Sequence, residues 1–483
     1  MTGLISPQET VERALAMSKA DGCVVRVTEQ TETNLRWANN TVTTSGEMRS
    51  RRLAVISMVS GTAGTAAGVV ERSGVTVDAL EDLVRASERA AAEAGPADDA
   101  APLVEPADGG PSSAGRGPSR EAGRGPGREA GWDAGPAATS VDVFGSFAPA
   151  LGEAFARASS AGRLQFGFAE HVMASTYLGS STGLRLRHDQ PTGKLELNVR
   201  SPDLARSAWV GRYTRNFADV DVPELDAELD RRMAWAHRRI ELAAGRYETI
   251  LPPAAVADLL VCLYWRATAR EADEGRTVFS RPGGGSRIGE RLSELPLTLR
   301  SDPFEPGLEC SPFVHTTASS AEQSVFDNGL PIRPVTWVSD GVLAELVRTR
   351  SWAARTGAAA APYVDNLVLE SPGATASLDD LVARTDRGLL LTCLWYVREV
   401  DQRTLLVTGL TRDGVYLVER GEVVGEVNNF RFNESPVRIL GRIAEVGRTE
   451  PCLCREFNEY VTRSAMPALR VPDFNMSTVS KAS

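Results

Sequence analysis

Histidine is almost missing from this chain. Only four occur in 483 residues, His171, His188, His237 and His315, and no two stand at helical ligand spacing. There is no H-E-x-x-H, no H-E-x-x-x-H and no Cys-x-x-Cys pair, so a self-contained zinc site has little to be built from. Cysteine is nearly as scarce. Cys23, Cys262, Cys310, Cys393, Cys452 and Cys454 are scattered rather than patterned, which argues against a disulfide framework and predicts a reduced, cytoplasmic chain. No run approaches the roughly 18 apolar residues that a bilayer-spanning helix needs, so no membrane segment is expected. The start, MTGLISPQETVERAL, has no basic stretch followed by an apolar one, so no secretory signal is expected either. Positive charge is in deficit: 53 Lys and Arg face 63 Asp and Glu, a net charge of −10. That argues against nucleic acid as a partner, since phosphate binding needs a surplus of cations.

What is present is ordinary material for a core. Apolar residues make up 42% and charged residues 24% of the chain, and the length predicts roughly two or three domains. Ser6-Pro7-Gln8-Glu9 reads as a capping box, with Val11, Ala14 and Leu15 on one helical face and an end near Gly22. Cys23–Glu29 and Leu53–Ser60 read as strands, and Leu80–Ala94 as a helix with one buried stripe. Residues 1–94 are therefore taken as an N-terminal α/β domain. From 95 to 140 the composition collapses to Ala, Gly, Pro, Asp, Arg and Ser, with a near-repeat, GRGPSREA then GRGPGREA. Arg116, Arg120, Arg124 and Arg128 fall there, and the expectation is a disordered insertion acting as a solvated spacer.

Residues 141–248 read as a middle α+β region. Phe144–Ala158 looks helical. Leu164–Leu178, Gly183–Arg187 and Lys194–Arg200 look like strands, the last two separated by a turn at Pro191-Thr192-Gly193. Leu225–Ala244 looks like a long amphipathic helix. Pro252-Pro253 breaks the chain, and 249–483 is expected to be β-rich after a helix at Ala254–Ala272. Within it, Leu405–Leu410, Val415–Glu419 and Val423–Phe432 are three β-rich runs. Asp413-Gly414 and Arg420-Gly421 are hairpin signals between them. The fold class expected is α+β.

Motifs that could carry chemistry are weak. Gly179-Ser180-Ser181-Thr182-Gly183 fits G-x-S-x-G, but Leu184–Arg187 alternates like a strand, so a hairpin turn is the better reading than a nucleophile elbow. Gly283–Gly289 lacks the Lys-Ser/Thr of a phosphate-binding loop and reads as a mobile loop. Cys452-Leu453-Cys454 could contribute to a metal site, yet two thiolates need further ligands, and free buried thiols are the simpler expectation.

Several segments, in this order, resemble the TldD/PmbA family of metallopeptidases. They are Leu35–Asn40, Tyr177–Leu184, Gly289–Leu292 with Ser301-Asp302-Pro303, Phe326–Pro331, Ser339–Leu343 and Asp386–Leu391, and the last leads into the β-rich block. The family has two kinds of chain. One carries H-E-x-x-x-H on a helix and holds zinc. The other, PmbA (TldE)-like, lacks the motif and pairs with the first. Here Val261–Arg266 stands where the zinc motif would be, with no histidine and no suitably placed glutamate. The resemblance implies an α/β N-terminal part, a mainly β C-terminal domain and a cavity shared by two subunits.

The resemblance also implies a zinc-free partner subunit. It would help a zinc-bearing TldD-like chain to cut unfolded peptides, such as leader segments of ribosomally made peptides. No catalytic residue, cofactor, nucleic acid or membrane is assigned to this chain. Cys452 and Cys454 remain the only metal candidates. Phe326, Asp327, Asn328 and Gly329, with Asn428, Asn429 and Phe430, are the expected peptide contacts; a plain turn and a strand end are the alternatives. The rival expectation is a cysteine-dependent hydrolase or transferase using Cys452 or Cys454 with His315 or His171.

Overall fold

The Ser6 half of the expected capping box forms, and the helix it opens ends at Met17 rather than near Gly22. In the computed structural model, which describes residues 5–106 and 131–480, the Glu9 N–H donates to the Ser6 hydroxyl at 3.1 Å and Pro7 opens helix α1, Pro7–Met17. Val11 and Ala14 point into the core. Strands β1 (Gly22–Ala38), β2 (Thr41–Gly61) and β3 (Gly64–Ser73) come next, longer than the β-branched runs alone suggested. Helix α2, Leu80–Glu93, lays Leu80, Leu83 and Val84 onto them. Gly68 makes that approach possible: a Cβ there would lie 2.2 Å from the Ser87 carbonyl oxygen.

Helix α3 (Phe147–Ser160), strands β4 (Leu164–Ser180), β5 (Arg185–Arg200) and β6 (Ser207–Thr214), and helix α4 (Val222–Trp235) complete the first half. The six strands form one antiparallel sheet in the order β3-β2-β1-β4-β5-β6. Strand β1 pairs with β4 along Val24–Trp37. The division between 1–94 and 141–248 is therefore not a structural boundary, because its two sides share a sheet.

Three further expectations change. Pro191 to Gly193 is not a turn but part of β5, opposite Met173 to His171. Strand β6 begins to pair only at Gly193, so proline sits where one edge of β5 is free and its missing N–H costs no ladder bond. Helix α4 stops at Trp235, and Ile240 belongs to a two-residue strand. The ends of the 95–140 segment are pinned, not solvated. Trp132 is 1% exposed, edge-on to Tyr177 at 5.7 Å, and the Tyr177 hydroxyl donates to the Ala134 carbonyl at 2.7 Å. Single aromatic anchors of this kind are invisible to composition. The arginine-bearing near-repeat lies outside the described residues.

The second half is a branched sheet of β7 (Arg239–Ile240), β8 (Gly245–Leu251), β9 (Thr298–Ser301), β10 (Val335–Ser339), β11 (Val342–Leu343), β12 (Leu367–Glu370), β13 (Arg387–Leu391), β14 (Leu394–Asp401), β15 (Leu406–Thr411), β16 (Val415–Glu419), β17 (Glu422–Val427), β18 (Phe430–Glu434), β19 (Glu445–Cys452) and β20 (Ser464–Val479). Its spine is β20, which pairs with β12, β19, β8 and β18. Helix α5, Pro253–Arg266, packs on β20 with ten consecutive residues buried, Ala255 to Tyr264. A helix apolar all round is a core helix. Four short helices, α6 (Ala269–Asp273), α7 (Arg350–Thr356), α8 (Leu378–Ala383) and α9 (Pro436–Leu440), lie between strands.

The β-rich block holds four strands, not three. Arg420 (φ 51°) and Gly421 (φ 80°) make the expected hairpin between β16 and β17. Asp413-Gly414 does not make one. Strand β15 pairs with β14 and β18, and β16 with β13 and β17, so the chain crosses between ladders there. The α+β class holds, with a mainly β C-terminal half.

Candidate functional site

Alternation along β1 separates two environments. Val25 and Val27 face the helices, while Val24, Arg26, Thr28 and Gln30 face the second half of the chain. Val24 joins Leu178, Leu186, Phe313, Val325 and Phe326 in an apolar seam between the two sheets. Beyond that seam the walls part and leave a cleft of about 350 Å³. Register builds its floor. Arg52, Thr28, Thr176 and His188 are cross-strand neighbours on β2, β1, β4 and β5, and Gln30, Ala174 and Gln190 form the next row. The opposite wall comes from loops carrying Ser311 to Thr316, Glu322 to Ser324, Asp327, Thr349, Tyr363 and Asp365.

Both histidines in the cleft are held neutral. Burial, then the charge of Arg26, pushes the His315 imidazole down to about 4. Its Nδ1 has no partner among the described residues, and Arg26 Nη1 donates to its carbonyl at 2.8 Å. Burial also lowers His188, whose Nε2 lies 2.9 Å from Gln190 Oε1. Burial raises the carboxyls of Glu322, Asp327 and Asp365. The result is a neutral, hydrogen-bonding floor facing reluctant acids.

Of the expected peptide contacts, only Asp327 lines this cleft. It is itself occupied, accepting from Arg350 Nε at 2.8 Å and from the Arg350 N–H at 3.1 Å. Phe326 is fully buried in the seam. Asn328 is spent internally: Oδ1 accepts from the Thr316 N–H at 2.7 Å, and Nδ2 donates to the Thr316 and Val325 carbonyls. Gly329 (φ 87°) closes that turn against Leu184. At the far end of the chain, Asn428 Oδ1 accepts from the Leu242 N–H, Asn429 Oδ1 accepts from the Thr411 hydroxyl, and Phe430 is fully buried. These side chains shape turns and core. Nothing from Leu405 to Phe432 lines the cleft. The cleft residues that sequence reasoning missed did leave a signal. Polar Arg26, Thr28 and Gln30 alternate with buried valines on a central strand.

The cysteine pair is not a reactive site. Cys454 Sγ donates to the Val461 carbonyl at 2.8 Å, and Cys452 Sγ lies 3.4 Å from the Ser464 hydroxyl. Burial pushes the Cys452 thiol up to about 12 and raises Cys454 well above its ordinary value, the reverse of what a nucleophile needs. His171 is committed elsewhere, with Nδ1 2.7 Å from the Thr139 hydroxyl and Nε2 2.6 Å from the Arg215 carbonyl. The Ser181 hydroxyl accepts from the Cys23 N–H, so the G-x-S-x-G stretch is a turn after β4. Arg281 N–H donates to the Gly285 carbonyl at 2.8 Å, closing the glycine-rich loop on itself.

Zinc does not fit these residues either. Helix α5 offers Asp258 and Cys262 one turn apart, but Cys262 is raised by burial and by Asp258 itself. Among the described residues, no three His, Cys, Asp or Glu side chains gather to share an ion. Asp258 is fully buried. Its Oδ1 accepts from the Glu456 N–H at 2.9 Å, its Oδ2 has no partner among the described residues, and burial raises its pKa strongly. A carboxyl kept neutral in the fold but ionised in the unfolded chain costs stability above the ordinary carboxylate pKa, and costs nothing below it. Asp258→Asn keeps the acceptor and removes that cost. It is expected to raise the melting temperature at about pH 8 and to leave it nearly unchanged at about pH 4. Thermal melts at the two pH values check this, and equal shifts would remove the argument.

Residues 244–478 match the family model of the PmbA/TldA metallopeptidase C-terminal domain. Solved structures share the fold along almost the whole chain. TldE from Thermococcus kodakarensis superposes with a TM-score of 0.74 at 16% identity, covering 97% of this chain and 99% of that one. A protein from Thermotoga maritima described as a candidate modulator of a DNA gyrase gives 0.71 at 15%, covering 97% and 99%. A similarly described protein from Bacteroides thetaiotaomicron gives 0.71 at 14%, covering 98% of each. At such identities the likeness is one of fold. No curated protein matches the sequence.

Proposed function

The chain belongs to the TldD/PmbA family, and on that premise we propose that it is the zinc-free subunit of a two-chain metallopeptidase acting on unfolded peptides in the cytoplasm, leader segments of ribosomally made peptides among them. Helix α5 carries the reading. At Val261 to Tyr264, where the zinc-bearing kind of chain is expected to present its ligands, this chain has buried core side chains and no imidazole. A TldD-like partner then supplies the metal, the activated water and the general base. This chain contributes a wall of the enclosure and the cleft between its two sheets. The likeness to TldE along 97% of the chain supports the same assignment.

Co-expression with a TldD-like chain tests it. The pair is expected to co-purify, to hold zinc in the partner, and to cut an unstructured peptide at a rate at least tenfold above either chain alone. A chain that stays apart from such a partner, or that binds stoichiometric zinc and cuts peptides by itself, would overturn the reading.

A further inference from the structure

The cleft between the sheets has an uneven charge distribution that its own side chains do not cancel. Arg52 stands on the floor, on β2, and among the described residues its guanidinium has no hydrogen-bond or carboxylate partner. Its neighbour Arg26 is engaged, donating to Glu71 and to the His315 carbonyl. Glu322 stands on the loop wall, and its carboxylate likewise has no partner among the described residues. Arg300 and Arg350, by contrast, meet carboxylates at hydrogen-bond distance. Among the described residues, one unpaired cation and one unpaired anion therefore line one cavity from opposite walls.

Between them the lining is neutral and polar. Thr28 and Thr176 face each other with hydroxyls 3.5 Å apart, and His188 continues the row. Both imidazoles stay uncharged at neutral pH because they are buried. Such a floor suits amide groups, which need donors and acceptors but no charge. At about 350 Å³ the cavity lies within the size range of small-molecule pockets.

We propose that this cleft binds a short peptide with both termini free, its carboxylate at Arg52 and its ammonium group at Glu322, with the threonine and histidine row meeting the amides between. The choice of a peptide over other zwitterions rests on the peptidase reading above. The ligand has the chemistry of a small cleavage product. Arg52 is exposed and Glu322 half-buried, so selectivity comes from a direct ion pair at each free terminus that the capped forms lack.

Calorimetric titration of the isolated, partner-free chain with trialanine, N-acetyl-trialanine and trialanine amide tests the proposal. Trialanine is expected to bind, and either capped form to bind at least tenfold more weakly. Arg52→Ala is expected to weaken trialanine tenfold yet leave the amide unchanged, and Glu322→Gln to do the same with respect to the acetylated form. Both residues are at the cleft surface, and circular dichroism of each variant verifies folding. No binding of trialanine, equal binding of the capped forms, or folded variants that bind like the wild type would each overturn the proposal. Because the titration uses the chain without a partner, its outcome is separate from the cleavage assay. Trialanine binding here alongside no partner-dependent cleavage would discard the peptidase reading and keep the site.

Discussion

Replacing Tyr264 by alanine is expected to destabilise the second half of the chain by about 3–5 kcal/mol, the cost of emptying a fully packed aromatic site. Tyr264 lies on α5, 1% exposed, stacked on Tyr363 at 4.8 Å and tilted against Trp337 at 5.3 Å. Its hydroxyl accepts from the Val364 N–H at 2.9 Å and donates to the Val364 carbonyl at 3.1 Å. The core helix is thus bolted to the loop that brings Tyr363 and Asp365 to the cleft. Tyr264→Phe removes only the hydroxyl and leaves two buried backbone groups short of a partner, so about 1–3 kcal/mol is expected. Denaturant melts of both variants read these costs. The phenylalanine variant should still fold and show weaker ligand binding in the cleft. Equal stability of Tyr264→Phe and the wild type would show that the hydroxyl does not hold the loop.

Arg455→Ala is the second large effect, expected at about 3–5 kcal/mol because it strands a buried carboxylate. The Arg455 guanidinium is 4.2 Å from the centre of the Trp395 ring and 5.4 Å from that of Trp209. Its Nη2 donates to Asp413 Oδ2 at 3.0 Å, and the other Asp413 oxygen accepts from the Ser207 hydroxyl at 2.6 Å. Ser207 and Trp209 belong to β6, and Trp395 to β14, so this cluster joins the first sheet to the second. The double variant Arg455→Met with Asp413→Asn should recover part of the loss, since no buried charge is stranded; Arg412, the other cation near Asp413 at 3.7 Å, is half-buried and keeps contact with water. Chemical denaturation of the single and double variants measures the coupling. Additive losses would mean that the pair does not act as a unit.

Local signals were legible and held. The Ser6 cap, the buried stripe of α2, the turn after β4 and the Arg420-Gly421 hairpin each depend on fewer than about ten neighbouring residues, the range over which propensity and turn chemistry act. Failures came where pairing is distant. Nothing in Cys23–Glu29 says that it will lie beside Leu164–Ser180, yet that ladder merges two expected domains into one sheet. Asp413-Gly414 has the composition of a hairpin, but Asp413 is drawn into the Arg455 cluster and the chain changes ladders. The cleft was the least legible part. Asn328 stands out in the sequence within the family-like segment Phe326–Pro331 and Asn428 as part of a strand edge; in the structure both hold backbone groups inside the fold.

The sequence by itself determined the donor inventory and the short-range architecture. Four histidines without ligand spacing, scattered cysteines and the absence of histidine across Val261–Arg266 are properties of the string, unchanged by folding. Tertiary structure alone decided which polar groups lose water. It placed Asp258 in the core, buried Cys452 and Cys454 beyond reactivity, and left Arg52 and Glu322 without partners among the described residues across a cleft drawn from several distant segments. The reason is physical: a residue type sets which bonds a side chain can make, whereas its hydration and its partners depend on every element packed around it.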